Sequence, residues 1–131
     1  MSVAQIKIYG VRERLNPVKE ELSEVIHSCV VEAFGLPVDK KFHRFFPMNR
    51  EDFYFPEGRT DRYTVIEISI FEGRTVEAKK QLIRLLFERI QHQLHISPQD
   101  VEITIFETPQ HNWGIRGLPG DELTLGYQVN I

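Results

Sequence analysis

Apolar residues recur every three or four positions between residues 18 and 34, with charged residues between them. This spacing predicts a helix that turns one apolar face toward a core. Asn16 and Pro17 are typical of an N-cap and a first helical position, and Gly35 is typical of a helix end. The apolar face consists of Val18, Leu22, Val25, Ile26, Cys29, Val30, Ala33 and Phe34.

Alternation of apolar and polar residues, the pattern of a half-buried strand, flanks this helix on both sides. Ile6 and Ile8 precede the helix, and residues 42–46 follow it. The second half of the chain repeats the order, because residues 63–71 and 101–106 alternate on either side of another apolar-faced helix. That second helix carries Leu82, Leu85, Leu86, Ile90 and Leu94.

Short motifs recur at equivalent places in the two halves. Pro-Val-Asp at residues 37–39 corresponds to Pro-Gln-Asp at 98–100. Likewise, Tyr-Gly-Val-Arg at 9–12 corresponds to Phe-Glu-Gly-Arg at 71–74. One internal duplication explains both correspondences, whereas chance would have to produce each of them separately.

We predict a single domain over residues 1–131, with pseudo-repeats at about 2–60 and 61–131. Each strand-helix-strand unit is expected to close by a right-handed crossover, which makes its two strands parallel. The predicted fold class is therefore α/β: duplicated β-α-β units that form a four-stranded, mainly parallel sheet with two helices on one face. A ferredoxin-like module, in which neighbouring strands are antiparallel, is the alternative.

The other face of this sheet is left without a helix to cover it. Either water covers that face, or copies of the chain assemble through it. We favour assembly, because residues 123–131 have the pattern of an extra strand that reaches a neighbour. The residues predicted on this face carry both signs of charge and are Lys7, Glu67, Ser69, Glu102 and Thr104.

Composition argues against some classes of function but does not identify one. The formal charge of -3 is mild and no run of lysine or arginine follows one element, so a nucleic-acid partner is not expected. We predict a cytoplasmic protein without a membrane span, because no apolar stretch is long enough and the first residues lack an export pattern. The single cysteine, Cys29, lies on the apolar face of a helix and is expected to be buried.

Several kinds of chemistry lack support in the sequence. His92 and His95 are three positions apart on a helix, but no third ligand accompanies them, so no metal is expected. The chain has no Gly-x-Ser-x-Gly motif and no glycine-rich phosphate loop. An acyl-transfer nucleophile, a nucleotide site and a bound cofactor are therefore not predicted.

Arginine is abundant outside the helices, and aromatic Tyr54 and Trp113 lie among these residues. Planar bidentate donors beside aromatic rings suit a small carboxylate ligand, although exposed loop charges are the alternative reading. Arg74 stands where a strand gives way to a helix that Thr75 is placed to cap, a position that favours an anion. The arginines are Arg12, Arg44, Arg50, Arg59, Arg62, Arg74 and Arg116.

The order of motifs in the second half resembles one unit of the tautomerase superfamily. The segment 66–75 ends in Glu-Gly-Arg-Thr, a helix follows, and the unit closes with Trp-Gly-Ile-Arg-Gly at 113–117. The fused arrangement of two units and the Phe-Gly-Leu-Pro helix end at 34–37 are similar to the malonate semialdehyde decarboxylase group of that superfamily.

The resemblance implies an amino-terminal proline that acts as acid or base, arginines that hold a substrate carboxylate, and a homotrimer. Ser2 occupies the proline position in one alignment and Ala4 in another. An ungapped count puts Lys40 where the decarboxylase has its acidic residue, which argues against that particular reaction. The pocket residues carried over are Arg74, Trp113, Arg116 and the more loosely matched Arg12, with Ser2 and Arg74 as the catalytic pair.

Two functions follow from these observations. One is a tautomerase-fold enzyme that binds a small oxo acid or other carboxylate and interconverts its keto and enol forms. The alternative is a non-enzymatic ligand-binding or interaction protein that kept the fold and lost the proline.

Overall fold

The computed structural model describes residues 4–123. The predicted extra strand at 123–131 falls almost wholly outside them. The strands and helices run in the order β1 (Ala4–Val11), α1 (Arg12–Leu15), α2 (Lys19–Phe34), β2 (His43–Met48), β3 (Thr64–Phe71), α3 (Val76–Leu94), β4 (Val101–Thr108), β5 (Gly114–Ile115) and β6 (Leu118–Pro119).

The four long strands form one sheet in the order β2-β1-β3-β4. Pairing is parallel within each half and antiparallel between β1 and β3 at the centre. Ile6 lies opposite His43 and Ile66 opposite Ile103, so each crossover returns to the sheet after the same length of chain. The four-stranded, mainly parallel α/β sheet is confirmed, and the ferredoxin-like alternative is excluded.

The core lies between one face of the sheet and the helices α2 and α3. Isoleucines that alternate along β1 and β3 point into it, and all of them are at most 1% exposed. Burying each such side chain stabilises the fold by about 1.5–3 kcal/mol. The largest fully buried residues are Phe34, Phe71, Ile6, Ile8, Leu22, Ile26, Ile66, Ile68, Ile70, Leu82, Leu86 and Ile90.

The start of the first long helix differs from the prediction. Asn16 has helical φ and ψ angles and closes the short helix α1, because its backbone N–H donates to the carbonyl of Arg12 at 3.1 Å. Asn16 therefore closes α1 and does not cap α2. Val18 takes that position without a side-chain cap. The helix ends as predicted at Gly35, which adopts a left-handed φ of 66°.

The predicted cap of the second long helix is confirmed. The Thr75 hydroxyl accepts a hydrogen bond from the backbone N–H of Ala78 at 3.1 Å. Cys29 is fully buried, as its place on the apolar face indicated. Among residues 4–123, no helix is long and apolar enough to cross a membrane.

The face of the sheet away from the helices carries every residue predicted for it, together with aromatic residues that were not predicted. Tyr9 stacks on Phe46, with 4.8 Å between ring centroids, and donates to Glu67 at 2.9 Å. Phe46 is 38% exposed and Phe106 is 48% exposed. We call this surface the open sheet face; it comprises Lys7, Tyr9, Arg44, Phe46, Glu67, Ser69, Glu102, Thr104 and Phe106.

Candidate functional site

The antiparallel pairing of β1 with β3 brings the beginning of one strand to the end of the other. Ala4, the first residue of β1, lies opposite Ile70, four residues before Arg74. We call this end of the sheet the Arg74 edge; it comprises Ala4, Phe71, Arg74, Thr108 and Trp113. The predicted catalytic residue Ser2 precedes Ala4 by two positions and lies outside the described residues.

Arg74 is buried at this edge, with 5% of its surface exposed. Gly73 adopts a φ of 122°, which turns the chain out of β3 and directs Arg74 back toward α2. The guanidinium Nη1 donates to the carbonyl of Phe34 at 2.6 Å, and its carbon lies 4.6 Å from the centre of the Phe34 ring. Arg74 therefore stabilises the electronegative end of α2. Its role in holding a substrate carboxylate stays a prediction.

Trp113 closes the same edge from the side of the open sheet face. Its ring meets Phe71 edge-on, with 5.0 Å between centroids and 89° between planes. Its indole N–H donates to the Thr108 hydroxyl at the end of β4, and its backbone N–H donates to the carbonyl of Gln110 at 3.1 Å. These contacts fix the ring, so Trp113 is positioned as a rigid wall.

Gly120 is a residue of this edge that sequence reasoning missed. Its N–H donates to the Trp113 carbonyl at 2.8 Å. A Cβ at this position would lie 2.5 Å from the Gln110 carbonyl oxygen and 3.1 Å from the Cβ of Trp113. Only glycine fits without moving the tryptophan, and nothing in the local sequence pattern reveals this requirement.

A groove of about 420 Å³ opens beside Trp113. Arg116 lies exposed in the turn that borders it, in a left-handed conformation with φ of 51°. Trp113 lines the groove, whereas Arg116 lies in the turn between β5 and β6 and is not among the lining residues. Arg74 is buried against the end of α2. The groove is lined by His111, Asn112, Trp113, Gly114, Gly117, Leu118 and Pro119.

Arg12 lies at the other end of the sheet. It follows the end of β1, where Gly10 pairs with Thr64 at the beginning of β3. Its Nε donates to the Asn49 side chain at 3.3 Å, and the residue is exposed. Eight strand residues separate the two ends, a distance of about 25 Å. A single chain therefore does not bring Arg12 to the Arg74 edge.

Most of the remaining loop arginines hold the fold together. Arg62 donates to the carbonyls of His95 at 2.9 Å and Leu94 at 3.0 Å, and so stabilises the end of α3. Arg50 and Arg14 donate to the Asp61 carboxylate at 3.0 and 3.1 Å, which lowers the pKa of Asp61. Neither the predicted carboxylate site nor the alternative of exposed loop charges anticipated these specific partners.

Two histidines that carry no spacing signal in the sequence meet between α2 and β2. The His43 Nδ1 lies 2.7 Å from the Ser23 hydroxyl, and the His27 and His43 rings are 6.0 Å apart. Burial, helped by the nearby charges of Lys41 and His27, lowers the pKa of His43 to about 4. His43 is therefore neutral at neutral pH, and its contact with Ser23 links α2 to β2.

Comparisons with known proteins identify the family of this chain. The model of the tautomerase enzyme family matches residues 40–116. Probable tautomerase YusQ of Bacillus subtilis is 27% identical over 99 residues, which cover 72% of this chain and 78% of that protein. The 2-hydroxymuconate tautomerase of a Pseudomonas species is 34% identical over 59 residues, which cover 45% of this chain and 94% of that protein.

Solved structures share the fold at low identity. A malonate semialdehyde decarboxylase superposes with a TM-score of 0.78 at 21% identity, covering 88% of this chain and 93% of that one. A fused 4-OT that forms an asymmetric trimer superposes with a TM-score of 0.79 at 21% identity, and one that forms a symmetric trimer superposes with a TM-score of 0.75 at 20% identity. Each superposition covers 89% of this chain and 96% of the other chain. Because the family model matches more than half of its length, the chain belongs to the tautomerase family.

Proposed function

We propose that this protein interconverts the keto and enol forms of a small oxo acid at the Arg74 edge, as part of a homotrimer. The observation that supports this most is the pairing of Ala4 with Ile70, which puts the beginning of β1 beside the strand that leads to Arg74. The proton-transferring amine is assigned to Ser2, two positions before Ala4 in the sequence. A small carboxylate is the ligand that this set of groups suits.

In this proposal the α-amine of Ser2 moves the proton. An α-amine has a pKa of about 8, so part of it is unprotonated near neutral pH. Its nitrogen takes a proton from the carbon beside the keto group, the C–H electrons form the C=C bond, and the carbonyl oxygen becomes an enolate. The protonated amine then returns the proton to the oxygen. Arg74 holds the substrate carboxylate, and Arg116 is the exposed second donor.

Assembly is the second part of the proposal. The open sheet face exposes Phe46 and Phe106 at opposite corners of the sheet, and a second copy would cover them. Fused 4-OT proteins with the same fold form trimers. A homotrimer in which the open sheet faces point inward accounts for the exposed rings.

Hydrogen–deuterium exchange at the carbon beside the keto group of 2-oxobutanoate, followed by NMR, tests the proton-transfer step. We expect protein with a free Ser2 amine to accelerate exchange, and Ser2→Pro to accelerate it at least tenfold further, because proline supplies a rigid secondary amine. A protein with an extra residue before Ser2 is the matched control and should not accelerate exchange. Equal rates for all three proteins would overturn the proposal.

A test of the proposed carboxylate site requires a substitution that leaves the fold intact. Arg116→Gly suits its left-handed backbone, so it should raise KM for the oxo acid severalfold with little change in stability. Arg74→Lys should raise KM as well, but it also weakens the contact with Phe34, so its KM is compared at matched fractions of folded protein. An unchanged KM in both variants would remove the arginines from the site.

A non-enzymatic ligand-binding protein is the second candidate. The specific observation that favours it is the hydrogen bond from Arg74 to the Phe34 carbonyl, which engages the guanidinium in a structural contact. Calorimetry with a panel of oxo and dicarboxylic acids separates the two functions. Binding without proton exchange supports the second candidate, and absence of binding contradicts both.

A further inference from the structure

We propose that Thr108 sets which oxo acids the Arg74 edge prefers, by fixing the indole of Trp113 as the surface along which a longer aliphatic chain of the substrate lies. The substrate class is that of 2-oxo acids with an unbranched chain of more than four carbon atoms. This inference rests on the proposed function and adds to it the part of the ligand beyond the reacting carbon. Thr108 is a positioning residue, because it acts through Trp113.

The backbone of Thr108 is held from two directions. Thr108 is the last residue of β4, and its carbonyl accepts the backbone N–H of Glu72 at 2.9 Å. Pro109 follows it, and a residue before proline is restricted to extended backbone. Threonine is also branched at Cβ, which limits the orientations of its side chain. The Thr108 hydroxyl is therefore a fixed point at the end of the sheet.

The indole of Trp113 depends on this hydroxyl for its orientation. The N–H is the only polar group of the ring, and it donates to the Thr108 hydroxyl. The contact of the ring with Phe71 is edge-on, at 5.0 Å between centroids, and contacts between aromatic rings tolerate a range of angles. The hydrogen bond from the Gly120 N–H to the Trp113 carbonyl holds the main chain and leaves the side-chain torsions free. Without the hydroxyl, the ring would therefore be free to rotate.

The groove of about 420 Å³ beside Trp113 suits an aliphatic chain. Pockets of about 300–1,000 Å³ take up ligands much larger than a four-carbon acid. Leu118 and Pro119 give the groove an apolar lining next to Trp113, and Leu118 is 45% exposed, so an apolar chain would remove it from water. Gly114 and Gly117 contribute no side chain, and a Cβ at either position would meet nothing within 4 Å, so this part of the groove is open.

Two oxo acids that differ only in chain length test this preference. The acids 2-oxobutanoate and 2-oxohexanoate share the same reacting carbon, and the second carries two further methylene groups. In protein with a free Ser2 amine, KM for proton exchange should be about tenfold lower for 2-oxohexanoate, because a methylene group in an apolar pocket changes binding by tenfold or more and this groove buries the chain only in part. The two kcat values should agree within about twofold, because the chain is bound equally in the ground state and the transition state.

Thr108→Val removes the hydroxyl and keeps the shape of the side chain. It should reduce the difference in KM between the two acids to about twofold or less, mainly by raising KM for 2-oxohexanoate, with kcat changed by less than about twofold. Thr108→Ser is the matched control, because it keeps the hydroxyl, and it should retain the wild-type difference. Circular dichroism and urea unfolding establish that each variant is folded under the assay conditions.

The fluorescence of Trp113, the only tryptophan of the chain, gives a readout that does not need activity. The anisotropy decay of Thr108→Val should contain a subnanosecond component from rotation of the freed ring, and wild type and Thr108→Ser should lack it. An unchanged decay in Thr108→Val overturns this inference and leaves the proposed function standing. Equal KM values for the two acids in wild type, or a difference that Thr108→Val leaves intact, do the same. Absence of proton exchange with both acids overturns the proposed function and this preference together.

Discussion

Protonation of His43 is expected to destabilise the fold as the pH falls. The folded-state pKa is about 4, because the ring is largely buried and faces Lys41 and His27, whereas an unfolded chain titrates near 6.5. Between these values the unfolded chain binds the proton and the folded chain does not. The free energy of unfolding therefore falls as the pH drops from 6.5 toward 4, and the loss is complete below 4.

The size of the loss follows from the difference between the two pKa values. At about 1.4 kcal/mol for each pH unit, the limit is about 3.5 kcal/mol, and partial exposure of the ring reduces the expected loss to about 2 kcal/mol. This is a large share of the stability of a small domain. The loss should be visible in urea unfolding at pH 7 and at pH 4.5, followed by the fluorescence of Trp113, the only tryptophan.

His43→Asn isolates this contribution, because asparagine can still bond to Ser23 but does not titrate. The variant should lose about 1.5 kcal/mol less than wild type between pH 7 and pH 4.5, because the loss is not yet complete at pH 4.5. Both proteins are measured at one fixed concentration so that assembly does not shift the midpoint. His111→Asn, at an exposed position, is the control and should follow wild type. Parallel curves for wild type and His43→Asn would refute the reasoning.

Two further substitutions test the contacts that hold the edges of the sheet. Gly120→Ala should destabilise the fold by about 1–3 kcal/mol, because the added methyl group clashes with the Gln110 carbonyl. It should also shift the fluorescence maximum of Trp113. An unchanged spectrum and an unchanged unfolding midpoint would contradict this prediction. Arg62→Ala should cost about 1.5–3 kcal/mol in urea unfolding, because two carbonyls at the end of α3 lose a charged donor, whereas the exposed Arg84→Ala should cost less than about 0.5 kcal/mol.

Much of the fold could be predicted from local patterns. The spacing of apolar residues identified both long helices and all four long strands, and the repeated motifs indicated two equivalent halves. The start of α2 could not be predicted, because Asn16 and Pro17 have the residue types of a helix start while the backbone at Asn16 continues the turn of α1. Capping depends on φ and ψ angles, which residue type only biases.

The candidate site was predictable in part. The motif order placed Arg74 at the strand-helix junction of the second unit and Trp113 in its closing turn, and in the structure they follow the adjacent ends of β3 and β4. The contacts that define their environment join residues far apart in sequence, such as Arg74 with Phe34 and Ser23 with His43. Contacts of this kind arise from the packing of helices on the sheet, so no spacing rule along the chain reveals them.

The antiparallel junction between β1 and β3 also bears on ligand stoichiometry. It gives the sheet two ends of similar construction: β1 begins with Ala4 at the Arg74 edge, and β3 begins with Thr64 at the opposite end. In the second half the residue that corresponds to Ser2 is Arg62, whose nitrogen belongs to a peptide bond and cannot act as a free amine. In the proposed mechanism the Ser2 amine therefore serves the Arg74 edge alone. A titration with an oxo acid should saturate at one equivalent per chain.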